Sequence, residues 1–209
     1  MKNIYITLCI ILINAFILFS ETATSSSKRI IDISLAEKLV RKEFKQKNDI
    51  EKVILFTKNT INKSDIIMEV VDNKGITYTD NSYIFLTLIS IAYRETTFRN
   101  IKGKQGEIGY WQIMPSTGKE LASKYKIPLN GLNIKNKLWD GNFNSLLASK
   151  YMTEHLDSYR YNLVKASSRY NGDKTLKYGK RVNKTFQSIL ENGSFYGKRT
   201  KINKQKKIG

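Results

Sequence analysis

One glutamate, Glu95, stands where a carboxyl group could act as a general acid. Residues before it recur at the spacing of one helix face, at positions i, i+4, i+7 and i+11: Ile84, Leu88, Ile91 and Glu95 itself. A carboxyl group at the end of such a stripe is partly desolvated, which disfavours its charged form and raises its pKa toward the range useful for proton donation. The alternative is a frayed last turn, with Glu95 in water or paired with Arg94 or Arg99.

The chain offers few other groups for catalysis. Cys9 is the only cysteine and lies near the N-terminus, so a chain cleaved after that segment would contain no disulfide, zinc thiolate site or cysteine nucleophile. His155 is the only histidine, which excludes a multi-histidine metal site and favours a structural role for this residue. We therefore expect catalysis by carboxylates, lysine, tyrosine or hydroxyl groups, with no metal and no cofactor.

Short motifs follow one another in order from Glu95 onward. They are ETTF at Glu95–Phe98, GEIGYWQIMPST at Gly106–Thr117, the pair Asp140 and Asn144, YNG at Tyr170–Gly172, and a Tyr-x-x-x-Val element at Tyr178–Val182. In this order and at these distances the motifs closely resemble the signatures of the lysozyme-like lytic transglycosylases, the soluble lytic transglycosylase (SLT) family. The resemblance covers about residues 82–190, a little over half of the chain.

The resemblance implies a fold and an activity. The fold would be mainly α, a lysozyme-like domain of the α+β superfamily with a short N-terminal extension. The activity would be cleavage of the β-1,4 bond between N-acetylmuramic acid and N-acetylglucosamine in peptidoglycan, with formation of a 1,6-anhydro ring. Glu95 would act first as acid and then as base, and the substrate's own N-acetyl group would assist.

The resemblance also implies a set of residues in contact with the sugars. These substrate-binding candidates are Thr96, Gln112, Met114, Tyr170 and Asn171. Tyr170 is expected to place its hydroxyl near Glu95. Packing in the core is the alternative for Met114 and Tyr170, and a turn is the alternative role for Asn171.

Several positions depart from the family pattern. The serine that follows the catalytic glutamate is Thr96, the usual alanine in the glycine motif is Glu107, and no proline follows Asp140. A family serine upstream of that motif falls near Gly103, so its hydroxyl is missing. Because Glu107 adds a carboxylate near the cleft, a goose-type lysozyme that hydrolyses the same bond stays open as an alternative. A noncatalytic wall-binding scaffold is the other.

The elements that must position these groups are predicted from periodicity and capping. Ser34–Glu37 resembles a capping box that opens a helix to about Lys47. Asp80 or Asn81 would cap the helix that ends near Glu95, Pro115 would start the next helix, and Asp140 would cap a helix to Tyr159. The segment from Val53 to Tyr78 has no clear assignment.

Composition and charge suggest how the chain is organised. Residues 1–20 have the charged start and apolar run of a signal peptide, with an uncleaved membrane anchor as the alternative. Residues 21–74 would form a leader and helical extension, residues 75–196 the SLT domain, and residues 197–209 a basic, disordered tail. We expect an exported monomer in the periplasm or cell envelope.

The chain carries a formal net charge of +18. A basic surface and tail of this kind would suit contact with an anionic wall polymer or membrane, although a biased proteome explains part of the excess. Nucleic acid is not expected as a partner, because export and the absence of a recognised nucleic-acid motif argue against it. The expected main partner is the glycan strand of peptidoglycan.

Overall fold

The architecture is that of a computed structural model, which describes residues 30–45, 47, 49–61, 69–71 and 76–192. The predicted signal peptide or anchor, the leader at 21–28 and the tail at 197–209 lie outside the described residues. Three short strands are β1 (Ile30–Ile31), β2 (Glu69–Val71) and β3 (Thr77–Thr79). The helices are α1 (Ile33–Glu43), α2 (Ile50–Ile61), α3 (Asp80–Thr96), α4 (Pro115–Lys124), α5 (Ile134–Lys137), α6 (Gly141–Ser158), α7 (Leu163–Asn171) and α8 (Lys177–Asn192).

Helix α3 runs through the centre of this mainly helical domain. It packs against α1, α2, α6 and α8. The sequence stripe predicted a single apolar face, but the helix buries residues on every side: Ile84, Phe85, Leu86, Thr87, Leu88, Ile89, Ser90, Ile91 and Ala92. A helix that is buried all round is held in place by its neighbours. Its 17 residues span about 25 Å and carry Glu95 in the last turn.

A small sheet lies at the other end of α3. Its order is β1-β3-β2, with β1 parallel and β2 antiparallel to β3. Strand β3 leads directly into α3, and the hydroxyl of Ser82 donates to the carbonyl oxygen of Ile31 at 2.6 Å. The sheet and α2 occupy much of the segment from Val53 to Tyr78 that the sequence left unassigned.

The helix caps differ from the sequence prediction at two positions. The N-cap of α1 is Asp32, whose carboxylate accepts from the backbone N–H of Leu35 at 2.8 Å, so the predicted capping box at Ser34 was wrong. The N-cap of α3 is Thr79 rather than Asp80 or Asn81. In both cases a hydroxyl or carboxylate nearby in sequence takes the cap because the preceding strand fixes where the chain turns.

Two other predicted helix starts are confirmed. Pro115 begins α4, and Asp140 caps α6 by accepting from the backbone N–H groups of Asn142 and Phe143. None of the helices in the described part of the chain is long and apolar enough to cross a membrane.

Gly179 sets the close packing of α7 against α8. A Cβ at this position would overlap the carbonyl oxygen of Val164 and crowd the hydroxyl of Ser168. We expect Gly179→Ala to lower the free energy of unfolding by about 3 kcal/mol, measured by urea denaturation, because backbone cannot move aside as a flexible side chain does.

Gly118 in α4 provides the matched control for this prediction. A Cβ there would meet side-chain atoms of Ile134 and Leu138 at 3.4 Å, an ordinary contact. Gly118→Ala should therefore leave stability unchanged or raise it by up to about 1 kcal/mol through helix propensity. Equal stabilities of the two variants would contradict the packing argument.

Candidate active site

Glu95 lies at a helix end that the chain leaves by a sharp reversal. Thr97 and Phe98 both adopt left-handed backbone conformations, with φ of 52° and 62°. The burial of the Phe98 ring against Phe44 and Tyr93 offsets the cost of this backbone strain. The reversal ends α3 at Thr96, one residue after Glu95, and leaves the Glu95 carboxyl group half-buried.

Two side chains from the C-terminal helices donate to the same oxygen of Glu95. The Tyr178 hydroxyl lies 2.6 Å from Oε1 and the Asn171 amide nitrogen lies 3.4 Å from it. Tyr178 belongs to the first turn of α8 and Asn171 ends α7. The structure thus brings Asn171 to Glu95, together with a tyrosine that was not among the predicted site residues.

Burial raises the pKa of the Glu95 carboxyl above its usual range. The hydrogen bonds from Tyr178 and Asn171 act in the opposite direction, because they favour the charged form. The negative charge of Glu107 raises the pKa further, and the positive charge of Arg181 lowers it. The C-terminal end of the α3 dipole also disfavours a negative charge at this position. Burial dominates, so the protonated form is favoured relative to an exposed glutamate.

Tyr178 is itself fixed by its surroundings. Its backbone N–H donates to the carboxylate of Asp173 at 2.7 Å, which holds the start of α8. Burial, with the negative charge of Glu95, raises the pKa of the Tyr178 hydroxyl well above its usual range. The phenol therefore stays neutral and remains a hydrogen-bond donor. The signal that could have identified it is the Tyr-x-x-x-Val motif, which contains it.

The Tyr170 hydroxyl lies where the charge of Glu95 acts on it, but its hydrogen bond goes to the backbone. This buried hydroxyl donates to the backbone carbonyl of Trp111 at 2.9 Å, and the hydrogen bond to Glu95 comes from Tyr178. The charge of Glu95 still contributes to the raised pKa of Tyr170, after burial as the larger cause. Tyr170 thus supports the segment Gly106–Met114, which we call the glycine loop, and its direct contact with substrate stays a prediction.

Thr96 is buried behind Glu95. Its hydroxyl lies 3.0 Å from the carbonyl oxygen of Ala92 and 3.2 Å from that of Tyr110, and it accepts from the backbone N–H of Arg99. The side chain therefore ties the helix end to the glycine loop. This burial does not favour the predicted contact of Thr96 with substrate.

The glycine loop is held by Asn144, which explains the spacing of the third motif. The Asn144 amide donates to the carbonyl of Ile108 at 3.0 Å and accepts from the N–H of Trp111 at 3.1 Å. Gly109, with φ of 91°, passes so close to Asn144 that a Cβ would overlap the amide. Asp140 caps α6 and places Asn144 one turn later, so the motif fixes the loop rather than supplying chemistry.

The Oε1 of Gln112 accepts no hydrogen bond from the residues that the structure describes. Its amide nitrogen donates to the carbonyl groups of Ile101 and Gly109, at 3.0 and 2.7 Å, which fixes the orientation of the amide. Its Oε1 and an oxygen of Glu107 both crowd the position that a Cβ of Gly103 would take. Glu107 accepts from the N–H of Gln105 at 2.9 Å. Two acceptors thus converge beside Gly103.

The structure also shows where Met114 and His155 lie. Met114 is half-buried and forms the N-cap position of α4, next to an open cavity. His155 packs its ring against Tyr151, and burial lowers its pKa. Within the described ranges, no group of three or more His, Cys, Asp or Glu side chains could hold a metal ion.

The fold and the site together define a mainly helical domain with a glutamate at the end of its central helix. The family profile of the transglycosylase SLT domain matches residues 80–189, more than half of the chain. The chain therefore belongs to the transglycosylase SLT domain family.

Two solved structures are similar to the chain. Lytic transglycosylase Slt of Pseudomonas aeruginosa, solved as an inactive mutant, is 23% identical over 60% of this chain and 22% of its own, with a TM-score of 0.40. The 70 kDa soluble lytic transglycosylase of Escherichia coli is 16% identical over 82% of this chain and 31% of its own, with a TM-score of 0.49. The chain thus spans less than a third of either protein. No match was found among curated proteins.

The raised pKa of Glu95 predicts a pH-dependent effect of Glu95→Gln on stability. A group with a raised folded-state pKa stabilises the fold fully below its unfolded pKa, and this contribution is lost as pH rises through the folded pKa. Glutamine stays neutral throughout. We therefore expect the Tm of the variant, relative to the unsubstituted chain, to be higher at pH 7 than at pH 4 in thermal scans.

Glu191, exposed on α8, supplies the control. Glu191→Gln should change Tm by similar small amounts at the two pH values. A Tm difference for Glu95→Gln that is equal at both pH values, or larger at pH 4, would show that burial does not govern this carboxyl group.

Proposed function

We propose that the chain is a peptidoglycan lytic transglycosylase in which Glu95 is the only acid and base. The observation that carries the proposal is the asymmetry of its carboxyl group. Oε1 accepts both hydrogen bonds, from Tyr178 and Asn171. Among the described residues no hydrogen bond reaches Oε2, and we therefore assign the catalytic proton to Oε2. Membership in the transglycosylase SLT domain family supports the assignment.

In the first step Glu95 acts as general acid. The Oε2 proton passes to the glycosidic oxygen between N-acetylmuramic acid and N-acetylglucosamine, and the bond from that oxygen to C1 of the muramic residue breaks. The carbonyl oxygen of the muramic N-acetyl group attacks C1 as the leaving sugar departs. This substrate assistance removes the need for a second carboxylate as nucleophile.

In the second step the same group acts as base. The Glu95 carboxylate takes the proton of the C6 hydroxyl of the muramic residue, and that oxygen attacks C1 and displaces the N-acetyl oxygen. The product is a 1,6-anhydro ring, no water is consumed, and Glu95 is protonated again. Tyr178 and Asn171 stabilise the transient carboxylate, because hydrogen bonds to a charged acceptor are stronger than those to a neutral one.

A tuned pKa suits a residue that both gives and takes a proton. Burial alone would hold Glu95 protonated and make it a poor base after the first step. Donation from Tyr178 and the positive charge of Arg181 oppose this effect. The balance keeps both protonation states within reach, which is the condition for acid and base catalysis by one group.

Hydrolysis by a goose-type lysozyme mechanism is the second candidate, and Glu107 is the observation that favours it. Its negative charge raises the pKa of Glu95, so the two carboxyl groups are near enough to interact. A second carboxylate in such a place could position water for attack on C1. The Glu107 carboxylate however already accepts a hydrogen bond from the N–H of Gln105 and lies beside the Gln112 amide. Because these contacts occupy the carboxylate, they favour the lytic mechanism over one in which Glu107 positions water.

This function places the chain in the cell envelope. Peptidoglycan lies outside the cytoplasm, so an enzyme that cuts it must be exported, in agreement with the signal-like residues 1–20. We propose that it acts as a monomer on glycan strands without metal or cofactor, because the chemistry uses only proton transfer and substrate assistance.

Two isosteric variants test the proposed mechanism. Glu95→Gln keeps the shape of the side chain but has no acidic proton, so we expect digestion of purified peptidoglycan to fall by at least about 100-fold. Glu107→Gln is the matched control on the same cleft, and its activity should fall by less than about tenfold. Near-normal digestion by Glu95→Gln would contradict the mechanism, and equal losses in both variants would favour the hydrolase.

A further inference from the structure

An open cavity of about 430 Å³ is lined in part by residues of the glycine loop. We call it the Trp139 cavity, after its most exposed large side chain. Its walls come from the loop at Lys102, Gln105 and Gly106, from the start of α4, and from Lys135 and Trp139. A cleft of this size with apolar walls and a few charged groups has the character of a ligand site.

Trp139 presents a rigid aromatic face to this cavity. Its side chain is 42% exposed, whereas large aromatic residues are usually covered. Its backbone is fixed on both sides, because its carbonyl accepts from the Asn100 amide at 3.0 Å and its N–H donates to the carbonyl of Asn136 at 3.3 Å. An exposed indole on a fixed backbone can cover an apolar ligand face with little loss of conformational freedom.

Two lysines give the cavity a positive charge. Lys102 and Lys135 are exposed, and no carboxylate lies within ion-pair distance of either among residues 30–45, 47, 49–61, 69–71 and 76–192. The nearby Lys137 differs, since it reaches the carboxylate of Asp140 at 3.5 Å. Within the described part of the chain, no acidic residue lines the cavity. Its two cations are therefore available to an anionic ligand.

The cavity is linked to Glu95 through contacts of the glycine loop. Gln105 lines the cavity, and its N–H donates to the carboxylate of Glu107. The negative charge of Glu107 in turn raises the pKa of Glu95. Met114, predicted to line the sugar cleft, also borders the cavity. A glycan strand lying across Glu95 can therefore extend over the loop toward Trp139.

We infer that the Trp139 cavity binds a further sugar of the glycan strand that bears a carboxylate, with Trp139 stacked on the ring and Lys102 and Lys135 paired with the carboxylate. The inference rests on the proposed function, since it names part of the same substrate. In peptidoglycan the carboxylate belongs either to the lactyl group of an unsubstituted muramic residue or to the peptide stem attached to that group.

Tryptophan fluorescence reports on this site directly. The chain has two tryptophans, and Trp111 is fully buried, so quenching by acrylamide measures mainly Trp139. The full chain carrying Glu95→Gln keeps probes intact during titration. Three tetrasaccharide probes are used: alternating N-acetylglucosamine and muramic acid with free lactyl groups, the same glycan with peptide stems, and neutral chitotetraose.

We expect at least one anionic probe to protect Trp139 from acrylamide and to bind more tightly than chitotetraose. The probe that does so identifies lactyl or stem as the source of the carboxylate. The double substitution of Lys102→Gln and Lys135→Gln should weaken the binding of that probe by about tenfold. Higher salt should reduce this difference in binding between the double variant and the chain that keeps both lysines. Binding of chitotetraose should stay within about twofold, because it offers no carboxylate.

The control variant is Lys38→Gln with Lys42→Gln on α1, which makes the same change of net charge away from the cavity. Equal weakening by the two double variants would overturn the inference, as would equal binding of neutral and anionic probes. So would binding without protection of Trp139, or no binding of any probe. Digestion of peptidoglycan by the unsubstituted chain separates the two proposals: if digestion occurs in any of these cases, the function stands and only the cavity assignment fails.

Discussion

The site depends on holding one carboxyl group at the C-terminal end of a helix that is buried on all sides. A carboxylate there is disfavoured twice, by loss of water and by the negative end of the helix dipole. The hydrogen bond from Tyr178, at 2.6 Å, keeps the charged form within reach. The rest of the domain can be understood as the means of keeping α3, α8 and the glycine loop in register around that carboxyl group.

Hydrogen bonds from buried side chains to the backbone account for much of this register. Asn144 bonds both sides of the glycine loop, Thr96 joins the loop to the end of α3, and Tyr170 supports the carbonyl of Trp111. Trp111 in turn donates its indole N–H to the carbonyl of Leu88 in the middle of α3. Loss of any one of them would leave a buried polar group unpaired, which is costly in a closed interior.

The sequence predicted the helical fold and the position of Glu95 because both follow from local periodicity and motif order. It did not identify Tyr178 as the partner of Glu95, since that contact joins residues 83 positions apart and depends on how α8 packs. The caps at Asp32 and Thr79 were missed for a similar reason: short strands before α1 and α3 decide where each helix begins. The segment containing β2 and β3 had no periodicity long enough to assign.

The Trp139 cavity also could not be predicted from the sequence. Lys102, Lys135 and Trp139 are separated in sequence and share no motif, so only the folded chain brings them together. Under the proposals above, the cavity would add charge recognition to a site whose chemistry needs a single protonatable group. Substrate choice and catalysis would then use different residues around one glycine-rich loop.

The mass of the products of peptidoglycan digestion tests the account most directly. If Glu95 returns its proton through the C6 hydroxyl, the muropeptides released by the purified chain carry 1,6-anhydro ends and are each lighter by one water than reducing-end products. Reducing-end products alone would show that water attacks C1, and would contradict a mechanism in which Glu95 works without a second carboxylate.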